Sequence, residues 1–175
     1  VLGGRQGELG VGATQTSPQP AVEAAQRLVS VEGVVGIVGA LGSGNTIPVA
    51  QTVAAPNKIP QISNASTAPA ITTLDDDDFL FRTTPSDAYQ GVAAARLAVE
   101  NGDTKVAVIY LNNDYGEGLA RAFEEAITEA GGTVTASAAF EPNQASYRSD
   151  LSVLANSGAE ALVLVAYPDD GGMTI

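Results

Sequence analysis

Apolar positions along this chain recur with two different periods, and the two alternate. Near-continuous or every-other-residue apolar runs read as strands; runs with a three-to-four-residue repeat read as helices. A strand is predicted from Glu8 to Thr14. A helix follows from Pro18, since proline suits a first turn and Val22, Ala25, Leu28 and Val29 share one helical face, with Gly33 as its stop. Val34 to Val38 is the next strand, and Thr46 to Ala55 a helix that turns Ile47, Ala50, Val53 and Ala54 inward. Pro56 and Pro60 fence a short connection to a strand at Ile59 to Ile62. The segment Ser63-Asn-Ala-Ser-Thr-Ala-Pro69 has neither period and reads as a loop. Phe79 to Arg82 is a strand, after which Ser86 and Asp87 cap a helix expected to carry Tyr89, Val92, Ala93 and Leu97 inward and to close at Asn101-Gly102.

The same alternation resumes at Lys105 to Leu111, a run expected of a central parallel strand covered on both faces. Asp114, with Glu117 three residues on, marks the start of a helix that presents Leu119, Phe123, Ile127 and Ala130 to the core and stops at Gly131-Gly132. Thr133 to Ala138 is a strand, Ser146 to Asn156 a helix with Tyr147, Leu151, Leu154 and Ala155 on one side, and Ala161 to Ala166 a strand. Strands alternating with helices specify an α/β fold with parallel, Rossmann-like sheets flanked by crossover helices. The closing Asp169-Asp-Gly-Gly172 shows no periodic element.

Composition narrows the function classes. The chain has 175 residues, 45% of them hydrophobic, enough for a real core. Eight Lys and Arg against twenty Asp and Glu give a formal charge of −12, which repels phosphate backbones and argues against a nucleic-acid partner. Four of the acids are consecutive, Asp75 to Asp78, and read as a solvated loop. With no cysteine and no histidine, the chain has no thiol nucleophile, imidazole base or usual zinc ligand. Nothing calls for a cofactor or a metal.

Ligands of open α/β sheets sit beyond the carboxyl ends of the strands. In Val34-Val-Gly-Ile-Val-Gly-Ala-Leu-Gly-Ser-Gly-Asn-Thr46 an apolar strand empties into glycines and hydroxyls, and Ser43 is expected to cap the following helix and leave N–H donors facing an anion. The other strand ends carry Ala65 to Thr67, Tyr110-Leu-Asn-Asn-Asp-Tyr115 and Ala166-Tyr167-Pro168. The glycine-rich turn also resembles a dinucleotide-binding turn, which would make the chain an oxidoreductase. Its glycines at 39, 42 and 44 run in the reverse of the usual spacing, and the following strand leads to Ile62-Ser-Asn-Ala instead of an acid for the ribose.

Five blocks in order, Val38-Gly-Ala-Leu-Gly-Ser43, Ile59-Pro-Gln-Ile-Ser-Asn-Ala-Ser-Thr67, Phe81-Arg-Thr-Thr-Pro-Ser-Asp87, Asp114-Tyr-Gly-Glu-Gly-Leu119 and Ala166-Tyr-Pro168, make the chain similar to the amino-acid-binding proteins of branched-chain amino acid ABC transporters, in the type I periplasmic binding-protein family. Members are longer, so the resemblance implies a two-lobed fold incomplete at both ends. Residues 1–102 would form most of the first lobe and 103–175 the opening part of the second. It implies a non-enzymatic, periplasmic or otherwise extracytoplasmic protein that closes two lobes on a small amino acid, branched-chain or a related aliphatic one, and hands it to a membrane permease. Carried over by position, the ligand groups fall on Ser43, Ala65 and Thr67 in the first lobe and on Tyr115 and Tyr167 in the second. Hydroxyl and N–H donors at Ser43 and Thr67 suit a carboxylate; the Ala65 carbonyl and the Thr67 hydroxyl suit an ammonium, with the tyrosine rings as an apolar cap. The same architecture also serves as the sensing domain of receptors and of amide- or urea-responsive regulators, so that reading stays open beside transport.

Overall fold

A computed structural model describes residues 4 and 6–174. The chain forms two compact units, one of residues up to Ser66 with Leu74–Thr84, the other of Thr67–Thr73 with residues from Pro85 onward. The units part ahead of residue 85, whereas the expected lobe boundary follows residue 102.

The first unit holds helix α1 (Pro18–Ser30), strand β1 (Ile37–Val38), helix α2 (Ser43–Val49) running into a wider π-helical turn at Ala50–Ala54, and strands β2 (Gln61–Ser63) and β3 (Leu80–Arg82). The three strands are parallel in the order β1-β2-β3. Ala21 and Ala25 of α1 pack on Val49 and Val53, with Val22, Val29 and Ile37 around them. Val38, Ile62 and Phe81 align in register across the three strands and are exposed. β1 is shorter than the apolar run that predicted it. Its neighbour cannot extend backward, because Lys58 adopts φ 56° and Pro60 has no N–H to give the ladder.

Residues 8–14 correct another expectation: they form no strand. Gly10 and Gly12 lie against Leu28 and Ala24 of α1, and the Arg27 guanidinium donates to the Val11 carbonyl at 2.9 Å. One face of the alternating pattern is glycine, which fits a helix surface, so Leu9 and Val11 point to solvent. In α2 and the π-helical turn that continues it, the predicted inward residues Ile47, Ala50, Val53 and Ala54 are buried. The helix starts earlier than expected, however, with Gly42 at the cap position and Ser43 as its first residue. Pro48, lacking an N–H, sits inside it just before the π-helical turn.

In the second unit a 3₁₀ turn at Pro69–Thr73 is joined by α3 (Asp87–Asn101), β4 (Lys105–Leu111), α4 (Asp114–Glu129), β5 (Thr133–Phe140), α5 (Arg148–Ala155), β6 (Ala161–Val165) and α6 (Pro168–Thr174). The last of these was not legible as an element. The parallel sheet has the order β5-β4-β6. Central β4 is buried on both sides: Val106 and Val108 meet Ala95, Ala120, Phe123 and Ile127 of α3 and α4, while Ala107, Ile109 and Leu111 meet Phe140, Tyr147 and Leu154.

The buried face of α3 differs from the predicted one. Asp87, Gly91 and Ala95 face inward, whereas Tyr89, Val92 and Leu97 are exposed. The reason is close helix packing: a Cβ on Gly91 would stand 2.6 Å from the carbonyl carbon of Ala122, so only the small-residue stripe lets α3 reach α4. This contact keeps α3 with the second unit. The α4 cap also shifts by one residue, because the Glu117 N–H bonds to the Asn113 carbonyl and the Gly116 N–H to the Asn113 side chain at 2.9 Å. Leu119, Phe123 and Ile127 are buried as expected; Ala130 lies past the helix end and is exposed.

Candidate functional site

Each unit carries part of the expected residue set. In the first, Ser43 opens α2 and is buried. The loop before it is held by side chains from β2 and the loop after it. Ser63 Oγ donates to the Ala40 carbonyl at 2.7 Å, and Gln61 Nε2 donates to the Gly39 carbonyl at 3.0 Å. Thr46 Oγ1 lies 2.7 Å from Ser66 Oγ and 3.0 Å from the Ala40 carbonyl, and Ser66 Oγ reaches the Leu41 carbonyl at 3.2 Å. The N–H groups of Ala65 and Ser66 point at Ser63 Oγ, at 3.4 and 3.0 Å, which fixes the backbone of half-buried Ala65 in a tight turn.

In the second unit, Thr67 and Asp87 bond reciprocally. The Thr67 hydroxyl donates to Asp87 Oδ2 at 2.7 Å, and the Asp87 N–H donates to the Thr67 carbonyl at 2.8 Å. Asp87 is buried at the first turn of α3. Tyr115, in the first turn of α4, and Tyr167, just after β6, stack with ring centroids 5.4 Å apart and planes within 9°. Burial raises the Tyr115 phenol above its ordinary pKa, and the negative charge of Asp87 raises it further. The Tyr167 phenol is also raised, first by burial, against a hydrogen bond with Asn113 that lowers it, with Asp114 and Asp87 adding to the rise. Thr67, Asp87, Tyr115 and Tyr167 therefore share one electrostatic neighbourhood.

Geometry assigns the proton of the Thr67–Asp87 pair. A threonine hydroxyl has one proton, and here it is given to the carboxylate, so in any further bond the oxygen acts as an acceptor. Beside it stand a buried carboxylate and two aromatic faces, all attractive to a cation. Sequence reasoning passed over Asp87 because Ser86-Asp87 reads as a helix start, and Ser86 does accept the Ala88 N–H. Its only signal is the buried face shared with Gly91 and Ala95. Thr46, Ser63 and Ser66 were missed likewise, having no periodic signature. Among the described residues no group of three or more acids, histidines or cysteines is placed to hold a metal ion. No described helix is long and apolar enough to cross a membrane.

Comparison with known proteins gives a consistent picture. A family model described as "periplasmic binding protein" matches residues 1–174. Leu/Ile/Val-binding protein homolog 3 of Brucella melitensis is 31% identical over 157 residues, which cover 89% of this chain and 42% of that protein. Metabotropic glutamate receptor 4 of Mus musculus is 35% identical over 143 residues, 79% of this chain and 16% of the receptor. The crystal structure of a leucine-binding protein, LivK, from Thermotoga maritima superposes with a TM-score of 0.87 at 30% identity, over 95% of this chain and 47% of that one. An R. palustris ABC-transporter solute-binding protein in complex with 4-hydroxybenzoate has a TM-score of 0.75 at 23% identity and shares the fold. The chain thus spans less than half the length of each of these proteins.

Proposed function

The chain belongs to the periplasmic binding protein family, and from that premise we propose that it is the solute-binding part of an ABC importer, capturing a small aliphatic amino acid outside the cytoplasm and delivering it to a membrane permease. The observation that carries this reading is the Thr67–Asp87 pair beside the stacked Tyr115 and Tyr167. An acceptor-only hydroxyl, a buried carboxylate and aromatic faces make a receptor for an ammonium group and an aliphatic side chain. In the first unit, Ser43 and the backbone around it supply donors for a carboxylate, and Ala65 supplies a carbonyl acceptor. The names of the Brucella and Thermotoga relatives support a branched-chain ligand.

A second reading, a ligand-sensing domain, draws on the receptor similarity and shares the ammonium site. Thermal denaturation of the intact protein with leucine, isoleucine, valine, alanine, glutamate and 4-hydroxybenzoate separates these possibilities. The proposal expects the aliphatic amino acids to raise the transition and 4-hydroxybenzoate, which has no ammonium, to leave it unmoved. A shift with 4-hydroxybenzoate and none with amino acids would defeat it, and a shift with glutamate alone would favour the sensor.

A further inference from the structure

The Tyr167 ring must be held in place to stack on Tyr115, yet its own stretch of chain holds it weakly. Strand β6 ends at Val165, paired with Tyr110, and two residues later the chain enters α6. The Tyr167 carbonyl accepts the Gly171 N–H at 2.8 Å, so its backbone belongs to the first turn of that helix. By itself α6 is a poor helix: it has seven residues, two of them adjacent glycines, and helices this short are marginal in water. Its direction therefore depends on contacts with more distant residues.

Asp170 makes those contacts. Its Oδ1 accepts a hydrogen bond from the Tyr147 hydroxyl at 2.6 Å and another from the Asn143 N–H at 3.0 Å. Both bonds have a carboxylate acceptor, the stronger kind. Asp170 and Tyr147 are buried, and the Tyr147 ring is fixed edge-on against Phe140, with centroids 5.1 Å apart and planes at 76°. Phe140 ends β5, so close-packed groups tie the first turn of α6 back to the sheet. Tyr167 packs against the same cluster. We infer that Asp170, held by Tyr147, is a positioning residue for ligand binding: it fixes the first turn of α6 and with it the place of the Tyr167 ring against Tyr115. This rests on the proposed amino-acid-binding function and deepens it, by adding a support for the aromatic cap from outside the proposed ligand groups.

Two measurements on the intact protein test this: titration calorimetry with leucine, and near-ultraviolet circular dichroism of the tyrosines without ligand. Asp170→Ala keeps all five tyrosines. It is expected to weaken leucine about tenfold or more and to lower the tyrosine band in the direction that Tyr167→Ala does. In Asp170→Asn the amide oxygen still accepts both bonds, so most of the affinity and of the band should return. On a Tyr167→Ala background, Asp170→Ala should weaken leucine less than about twofold further and leave the band unchanged, since nothing remains for it to position. If Tyr167→Ala binds too weakly to titrate, the band decides. If Asp170→Ala fails to fold, Tyr147→Phe, which keeps the ring and removes one donor, replaces it, with a loss of about threefold or more expected alone and less than about twofold beside Tyr167→Ala. Unchanged affinity or an unchanged band in Asp170→Ala, equal losses with and without Tyr167, or Asp170→Asn no better than Asp170→Ala would overturn the positioning role alone. A wild-type protein that binds none of leucine, isoleucine, valine and alanine would overturn the functional reading, and the dichroism would still decide whether Asp170 places the ring.

Discussion

Gly116 locks the first turn of α4 against the end of β4, and replacing it with alanine measures how tightly. A Cβ there would stand 1.9 Å from the Leu111 carbonyl oxygen, 2.8 Å from its carbon and 3.0 Å from the Leu111 nitrogen. An unstrained contact needs roughly 3.5 Å, so the turn must move by roughly 1.5 Å, and all three atoms are backbone that cannot rotate aside. Overpacking of this kind costs about 1–3 kcal/mol. The movement also breaks the bond from the Gly116 N–H to the Asn113 cap, which contributes about 1 kcal/mol, while alanine's better helix propensity returns about 1 kcal/mol. Gly116→Ala is therefore expected to lose about 1–3 kcal/mol in urea unfolding followed by circular dichroism. Gly7→Ala, where a methyl meets nothing, is the control and should stay near the wild type. Tyr115 precedes Gly116, so leucine affinity should fall as well. A Gly116→Ala protein within about 0.5 kcal/mol of the wild type would refute this account of the β4–α4 junction.

Other consequences follow from the same structure. Asp87→Asn keeps the shape but removes the charge; it should weaken leucine binding by about tenfold or more and lower the titration of Tyr115 and Tyr167, read by tyrosinate absorbance. Unmoved tyrosines would mean that Asp87 is not their electrostatic neighbour. The folded-state pKa values of Tyr110, Tyr115, Tyr147 and Tyr167 all lie above the ordinary value of 10.0, so the folded protein holds protons that the unfolded chain has released. That stabilisation is complete below pH 10.0 and is lost as pH rises through the folded values, so urea midpoints should fall with alkali; a flat profile would contradict this. Tyr147→Phe removes the donor 2.6 Å from the buried Asp170 carboxylate and should cost about 1–3 kcal/mol, and an unchanged midpoint would rule out that bond as a support for α6.

The second unit was the more legible one, and the reason is physical. β4 is apolar after Lys105 because both its faces are covered, and α4 carries Leu119, Phe123 and Ile127 at helical spacing with a strong cap and a glycine stop. Where sequence reading failed, the deciding contact was distant or the signal was small residues. The face of α3 was misjudged because glycine and alanine, not the larger Tyr89 and Leu97, make the close contact with α4. The segment 8–14 has strand-like alternation, but its glycine face lies on a helix. The five candidate ligand residues came from strand ends and from a family resemblance. Asp87 needed the fold, since it meets Thr67 across 20 residues of chain. The cluster of Thr46, Ser63 and Ser66 hydroxyls around the Ala40 and Leu41 carbonyls was equally invisible, because nothing in a sequence shows which carbonyl a buried serine faces.

The central claim, that this chain recognises an amino-acid zwitterion, is tested most directly by isothermal titration of the intact protein with leucine, isoleucine, valine and alanine, repeated on the double variant Ser43→Ala with Thr67→Ala. The account predicts saturable binding of at least one of these amino acids and a loss of about 3 kcal/mol or more in the double variant, since two hydroxyls that would bond charged groups are removed. Silence across all four amino acids, or an unchanged affinity in the double variant, would contradict it.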